Sequence, residues 1–446
     1  MHSYLELSFL IKTPLPALFL GILVLLFGIY IRFSARKDNP DNGIPMSPKP
    51  IPETKPQPEP ETYPPITPLP QAFNWETTDP IILRPFKPKY HLTMGITTLE
   101  PSELIPMDKT YLSRLALRKQ LLQEHPDVVR AVNIREEDPG MNRKIREALF
   151  EWYAFVMGSY LPTRYPSMFR LLEAPEEKEM IESLVTGFKV PTEAGELIRS
   201  FSSSSSSSTV KEKDNTTDEI EKEKQSLLLI LDTLGSWIDE DFLILLPSYP
   251  TQSSSPLSPS PNPDASNEQE DPKYHLQSYT TYYPAGFDTR TKLSLPLSQI
   301  HTPVPGYKEK LEKSMDRFFA RLDVGRFVVR VNWSVMTRGT GLFAAFGGLH
   351  DHNSGSEERE IEVEGFDGKD TYLRCERQTL HRLPKSKALI FAFHTYTYPI
   401  IDIKAEGLGE DLAVAIDGLK GGNVPEIYPY KRGPYWGEAV KGFLRS

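Results

Sequence analysis

The chain has 446 residues, enough for one large or two modest domains, and carries a formal net charge of −9. This acidic balance argues against nucleic acid as a partner, because phosphate backbones are bound mainly through basic surfaces. Cys375 is the only cysteine. The chain therefore has no internal disulfide, and its thiolates alone build neither a zinc knuckle nor an iron–sulfur cluster.

An uncharged stretch near the N-terminus predicts a membrane anchor. Residues 13–31 contain no charged side chain, and 17–31 are almost wholly apolar. At a rise of about 1.5 Å per residue, about 20 residues cross the hydrocarbon layer, so this stretch is just long enough for one transmembrane helix. A cleaved signal peptide is the alternative. It needs small residues at its cleavage site, whereas residues 30–33 read Tyr-Ile-Arg-Phe, so an uncleaved anchor is favoured.

The charges around the stretch predict its orientation. Arg32, Arg36 and Lys37 follow it, whereas Lys12 precedes it. Basic residues next to a spanning helix stay on the cytoplasmic side. We therefore expect a single-pass membrane protein whose C-terminal bulk faces the cytosol.

Composition divides the chain into an anchor at 1–38, a linker at 39–72 and one domain at 73–446. The linker has a proline at nearly every second or third position, which predicts an extended, disordered spacer. Insertions at 200–225 and 251–273 interrupt the domain. They are rich in serine, proline and charge and have too little apolar content to pack, so we expect them to be disordered.

The domain combines helical patterns with strand patterns. Apolar residues recur at helical spacing in 107–158, 176–188, 227–238, 307–322 and 411–419. Short apolar or alternating runs predict strands at 242–246, 279–283 and 326–334, and a hairpin formed by 372–380 and 388–398. Helices combined with a segregated antiparallel sheet define an α+β fold.

Two histidine-containing segments are candidate metal sites. His301 lies in Ile-His-Thr-Pro-Val-Pro at 300–305, and the prolines predict a stiff, extended backbone after it, which suits an axial ligand with a fixed ring. A structural histidine in a turn is the alternative, and local sequence alone favours it. His350 and His352 beside Asp351 could bind a divalent metal, but their Gly- and Asn-rich surroundings favour a solvated loop.

The strand predicted at 372–380 is unusually charged. Alternation places Arg374, Glu376 and Gln378 on one face and Cys375 and Arg377 on the other. Such charge must lie in water, in ion pairs or around a polar ligand. The planar fork of Arg377 suits a carboxylate, including a haem propionate. A half-exposed edge strand is the alternative, and the pattern alone favours it.

Five segments occur together and in order in one known family. They are 238–242 (Ile-Asp-Glu-Asp-Phe), 282–287 (Tyr-Tyr-Pro-Ala-Gly-Phe), 300–305, 330–334 (Arg-Val-Asn-Trp-Ser) and 374–380 (Arg-Cys-Glu-Arg-Gln-Thr-Leu). On these segments the chain resembles the fungal HRQ family, similar to the α subunit of haem-dependent oxidative N-demethylase, over about residues 74–430. The resemblance implies a PAS-like antiparallel sheet with surrounding helices, which agrees with the α+β pattern. The uncharged stretch at 13–31 adds one N-terminal transmembrane helix to this expected fold class.

The resemblance also implies an activity. It implies a haem-binding monooxygenase that oxidatively removes a methyl group from a small secondary amine such as dimethylamine and releases formaldehyde. Carried onto this sequence, it implies His301 as the haem iron ligand. Given such a haem site, our hypothesis is that Arg377 or Arg330 holds a propionate. Glu376 is the catalytic residue in this hypothesis, pairing with the amine or with a neighbouring arginine. A separate reductase is the implied electron donor, since the chain has no flavin or nicotinamide motif.

Two features depart from the family pattern. Phe287 stands where the family often has tryptophan, and an amine demethylase needs neither the anchor nor the long insertions. Two alternatives therefore stay open. One is a non-catalytic haem or small-ligand sensor, and the other is a membrane-tethered scaffold without haem.

Overall fold

Antiparallel strands form the centre of this protein, which we describe from a computed structural model. The structure describes residues 62–172, 179–204, 215–248, 271–337, 341–344 and 360–446. The strands in these residues are β1 (Thr97–Thr98), β2 (Arg130–Val132), β3 (Phe169–Leu172), β4 (Met180–Ser183), β5 (Lys189–Pro191), β6 (Asp241–Ser248), β7 (Lys273–Thr280), β8 (Val328–Met336), β9 (Tyr372–Arg382) and β10 (Leu389–Pro399). Within the described residues, a seven-stranded sheet has the order β1-β8-β9-β10-β6-β7-β2, and a three-stranded sheet has the order β3-β4-β5.

Helices surround the larger sheet. They are α1 (Tyr111–Glu124), α2 (Pro126–Val129), α3 (Pro139–Ala154), α4 (Leu161–Arg164), α5 (Ala194–Ser204), α6 (Asn215–Trp237), α7 (Leu297–Ile300), α8 (Tyr307–Lys310), α9 (Glu312–Arg321), α10 (Ile400–Ala405), α11 (Gly409–Gly418), α12 (Ile427–Tyr430) and α13 (Gly433–Arg445). A π-helical stretch, Phe155–Tyr160, continues α3. Single 3-10 turns lie at Trp75–Thr77, Pro101–Glu103 and Thr289–Lys292.

Local sequence explains where α3 begins and which side it buries. The Asp138 side chain accepts a hydrogen bond of 2.9 Å from the Met141 backbone N–H, and Pro139 occupies the first turn, where its missing N–H costs nothing. Ile145, Leu149 and Trp152 follow at helical spacing and are fully buried. They join a core that α6 shares with strands β6 and β10.

The register of β9 decides which of its side chains share a face. Glu376 pairs with Asn332 on β8 and with Thr395 on β10, whereas Arg377 pairs with Val331 and His394. Because successive side chains alternate across a sheet, Glu376 and Arg377 point to opposite faces.

Several helices differ from the expectation. The segment 176–188 was expected to be helical, but Met180–Ser183 is a strand that pairs with Lys189–Pro191. Gly187, at φ 76°, supplies the left-handed turn between these strands. The helix expected over 307–322 is divided at Leu311, between α8 and α9.

Part of one polar insertion is also helical. The helix α6 begins at Asn215, so the end of the segment 200–225 is helical. These charged residues form the first turns of the same helix whose later, apolar turns were predicted at 227–238.

The predicted transmembrane helix and the predicted membrane localisation require correction. No helix in the part of the chain that the structure describes is both long and apolar enough to cross a bilayer. The 23-residue α6 has the length, but its first half is rich in charge. The stretch predicted as an anchor, 13–31, lies outside the described residues. The described fold is α+β with antiparallel sheets and no spanning helix, so the predicted fold class was wrong in its membrane element.

Candidate functional site

A cavity of about 610 Å³ lies against one face of the large sheet. This volume is in the range that proteins use for small molecules and cofactors. Its walls are mainly apolar and include Leu243, Leu245, Phe391 and Phe393 from the strands and Leu311, Met315 and Phe319 from the helical side. A largely apolar ligand would therefore be shielded from water on several sides.

His301 lies on the wall of this cavity, directly after the short helix α7. Its Nδ1 lies 2.8 Å from the Leu297 carbonyl oxygen, and its ring stacks on Tyr307 with 4.7 Å between the ring centroids. Burial lowers the pKa of His301, so the ring is neutral near neutral pH. A carbonyl can only accept, so Nδ1 carries the proton and Nε2 keeps its lone pair.

The backbone around His301 is not extended as predicted. His301 ends a helical turn, and its carbonyl accepts a hydrogen bond of 2.9 Å from the Val304 N–H. The restriction by proline acts on Thr302 and Val304, and leaves His301 free to close the turn. Gly306 then takes φ 71°, and a Cβ there would lie 2.8 Å from Val424 Cγ2, so glycine is required.

Arg330 reaches the same cavity from β8. Its side chain is half-buried, and its buried Nε has no hydrogen-bond partner among the described residues. Burial lowers the pKa of Arg330, opposed by the nearby Tyr90 and Glu376. A cation in this position lacks a partner that an anionic ligand could provide.

Glu376 lines the cavity from β9 and is buried. Gln378 Nε2 donates to its Oε2 at 3.0 Å, while its Oε1 accepts no hydrogen bond from any described residue and lies 3.9 Å from Arg374 Nη2. Burial raises the pKa of Glu376, and Arg374 partly offsets this effect. One carboxylate oxygen is therefore held in place, and the other can accept a ligand N–H.

Arg377, the other predicted carboxylate partner, does not line the cavity. It lies on the opposite face of β9, where Nη2 donates to the Glu103 carbonyl at 2.7 Å and Nη1 to the Leu104 carbonyl at 3.4 Å. The structure thus brings together His301, Arg330 and Glu376, and separates Arg377 from them. The predicted pair His350 and His352 lies outside the described residues.

Lys431 is a cavity residue that the sequence reasoning missed. It follows α12, is almost fully buried, and its Nζ donates to Asn332 Oδ1 at 3.2 Å and to the Trp333 carbonyl. Burial lowers its pKa to about 8. The local sequence, Tyr-Pro-Tyr-Lys, carries no signal for this role. The site forms only when α12 packs on β8, about a hundred residues earlier in the chain.

A buried ionic cluster anchors the segment that borders the cavity. Arg118 Nη1 lies 2.8 Å from Asp241 Oδ1, and Asp241 Oδ2 accepts from the Tyr283 N–H at 2.6 Å. Arg374 donates to the Tyr283 carbonyl from β9. Because residues 285–289 follow immediately and line the cavity, this cluster positions one of its edges.

The fold and cavity define an α+β protein with a largely apolar cavity whose wall carries the cationic side chains Arg330 and Lys431. The family described as "Haem-dependent oxidative N-demethylase, alpha subunit-like" matches residues 95–441, and the chain belongs to this family. The match includes His301, Arg330, Glu376, Arg377 and Lys431. No curated protein matches the chain.

The cavity residues fit the haem that the family description names. His301 offers an unprotonated Nε2, and the strands and helices offer apolar walls. The described residues hold no group of three or more His, Cys, Asp and Glu side chains arranged to bind a metal ion. Cys375 is no rival ligand, because burial raises the pKa of its thiol to about 12.

Proposed function

We propose that this protein binds haem in the cavity, where His301 would ligate the iron, and catalyses oxidative N-demethylation of a small secondary amine. The hydrogen bond from His301 Nδ1 to the Leu297 carbonyl is the observation that carries this proposal. It orients the ring and reserves Nε2 for iron, as the outer partners of metal-binding histidines do. On the five sequence segments, we place the chain more narrowly with the fungal HRQ proteins.

Arg330 is the proposed partner of a haem propionate. Its unpartnered Nε lies in the wall of the cavity, and a guanidinium binds carboxylates through paired N–H groups. Arg377 is not proposed for this role, because backbone carbonyls on the opposite face of the sheet engage its guanidinium.

Glu376 is the proposed partner of the amine. Its Oε1 has no hydrogen bond, while Gln378 holds its Oε2. A protonated secondary amine donates two N–H groups and carries a positive charge, which suits a buried carboxylate. Bound haem would supply the oxygen and electron chemistry that these side chains lack. Electrons would arrive from a separate reductase.

The first test is reconstitution of the full-length chain with haemin. We expect a Soret band in the wild type and in His275→Ala, since His275 does not line the cavity. His301→Ala should lose most of the band and regain it when imidazole is added. An unchanged His301→Ala spectrum would overturn the ligand assignment, and no band in the wild type would overturn haem binding.

A second measurement separates an enzyme from a binding module. Reconstituted protein is incubated with dimethylamine, oxygen and a supplied reductase, and formaldehyde is measured. We expect formaldehyde release that falls strongly in His301→Ala. Haem binding without any release from secondary amines would contradict the proposed reaction and leave haem binding in place.

A further inference from the structure

Arg330 and Lys431 lie in the cavity wall and form no ion pair with any carboxylate in the described part of the chain. Lys431 Nζ donates only to the neutral oxygens of Asn332 and Trp333, and Arg330 Nε has no hydrogen bond, within the residues that the structure describes. A buried charge without a counter-charge is costly, so residues of this kind mark sites that a ligand completes.

The two cations belong to one end of the cavity. Arg330 lies on β8, and Lys431 is hydrogen-bonded to Asn332 and Trp333 of the same strand, two and three positions further along. Tyr90 lies close to both cations. Its ring centroid lies 5.9 Å from Lys431 Nζ. Burial raises the pKa of the Tyr90 phenol, and the nearby Arg330 partly offsets this effect.

Glu376 does not neutralise this pair. The charge of Glu376 raises the pKa of both cations, in each case against the larger lowering effect of burial. Glu376 forms no ion pair with Arg330 or Lys431, and its side chain contacts Gln378 and Arg374 instead. An ammonium has three donors, and two of those on Lys431 are used. The third donor of Lys431 and the free Nε of Arg330 require acceptors, and carboxylates supply these together with the missing charge.

We propose that Arg330 and Lys431 together form a clamp for the two carboxylates of one porphyrin. This inference rests on the proposed haem site, and adds Lys431 as a positioning residue that no sequence motif assigns. The clamp holds the polar edge of the porphyrin at β8, while the apolar walls hold its body. Recognition by the clamp depends on the carboxylates and not on the iron.

The test uses iron-free porphyrin, so that ligation by His301 plays no part. The full-length chain is titrated with protoporphyrin IX and with its dimethyl ester, and binding is followed by porphyrin fluorescence. We expect the diacid to bind at least tenfold more tightly than the diester. Lys431→Met and Arg330→Met should each reduce this ratio by about tenfold, about 1.4 kcal/mol, with little change for the diester.

Lys441→Met is the matched control. Lys441 is also buried, but it already pairs with Asp417 at 2.6 Å and Glu438 at 2.8 Å on the helical side of the domain. It should leave the ratio of the two affinities unchanged. Lys431→Arg keeps the charge and should retain part of the preference for the diacid.

The outcomes separate the two proposals. If the wild type binds haemin but neither iron-free porphyrin, the haem site stands and the clamp is overturned, whereas binding of neither haemin nor the porphyrins would overturn the haem site itself. If the wild type binds diacid and diester equally, or if Lys431→Met weakens both to the same extent, the haem site stands and the clamp is overturned.

Discussion

The Nδ1 of His301 lies 2.8 Å from the carbonyl oxygen of Leu297, one helical turn earlier, while the ring of Tyr307 stacks on the face of the same imidazole. Two independent contacts thus fix the imidazole before any ligand arrives. A fixed ring loses little rotational freedom on ligation, and this lowers the cost of binding.

Tyr307 should contribute to haem affinity through its ring and not through its hydroxyl. Tyr307→Leu removes the stacked ring, and we expect haemin affinity to fall about 2- to 10-fold, because such aromatic pairs contribute about 0.5–1.5 kcal/mol. Tyr307→Phe keeps the ring and should bind haemin like the wild type. Equal losses in both variants, measured by Soret titration, would contradict the stacking argument.

Substitutions of Arg330 and Arg377 should change different quantities, haemin affinity for Arg330 and the free energy of unfolding for Arg377. Arg330→Gln removes the charge-assisted hydrogen bond that we propose Arg330 makes to a haem propionate, so haemin affinity should fall about 10- to 100-fold. Arg377→Gln leaves the carbonyls of Glu103 and Leu104 unpaired, and should lower the free energy of unfolding by about 1–3 kcal/mol with little effect on haemin. Haemin titration and urea unfolding of both variants test this contrast. A larger loss of haemin affinity in Arg377→Gln than in Arg330→Gln would contradict this prediction.

Glu376 should set the acid limb of the activity profile. Burial raises its pKa, so the carboxylate is lost at a higher pH than for an exposed glutamate, and kcat/KM for dimethylamine should fall as the pH drops through that raised pKa. In Glu376→Gln this limb should disappear, and KM should rise about 10-fold or more. The measurement is kcat/KM against pH for both proteins, and identical profiles would exclude Glu376 as the amine partner.

The buried charge of Lys431 should lower the free energy of unfolding of the haem-free protein, by an amount that depends on pH. Below pH 8 the lysine is protonated in both the native and the unfolded state, and the full cost of burying its charge is present. Above its native pKa of about 8 the native state releases the proton, whereas the unfolded chain keeps it up to about pH 10.4, so stability rises with pH in this window.

Lys431→Met should therefore stabilise the haem-free protein at pH 7, by up to roughly 3 kcal/mol, since one pKa unit corresponds to about 1.4 kcal/mol. The gain should shrink towards pH 10. Thermal unfolding at the two pH values measures it. Lys441→Met, which breaks ion pairs, should instead destabilise at pH 7, and a destabilised Lys431→Met would show that its hydrogen bonds outweigh the buried charge.

The strand pattern predicted part of this site and could not predict the rest. Period-two alternation correctly separated Glu376 from Arg377, because strand geometry is local. Which face of β9 carries a cavity depends on helices packed from elsewhere in the chain, so Arg330 and Arg377 were equivalent candidates. Lys431 reaches β8 only through folding of the C-terminal helices, and a lysine directly after Tyr-Pro-Tyr gives no local sign of that contact.

The fold predictions failed for similar physical reasons. Apolar residues in 180–185 suit a helix face or a short strand equally well, and pairing with Lys189–Pro191 decided for the strand. The prolines after His301 were expected to extend the chain, but they act on the residues directly before them and leave the turn at His301 intact.

The walls of the cavity are drawn from Tyr90 near one end of the described domain and from Lys431 near the other. During synthesis, a nascent chain that stops short of Lys431 lacks one wall and one cation, however well its earlier strands have formed. A ligand that needs the whole enclosure can therefore be captured only after the ribosome has synthesised residues 90–431. Loading of the cavity therefore follows the synthesis of Lys431, and a truncation before this residue would remove one wall and one cation.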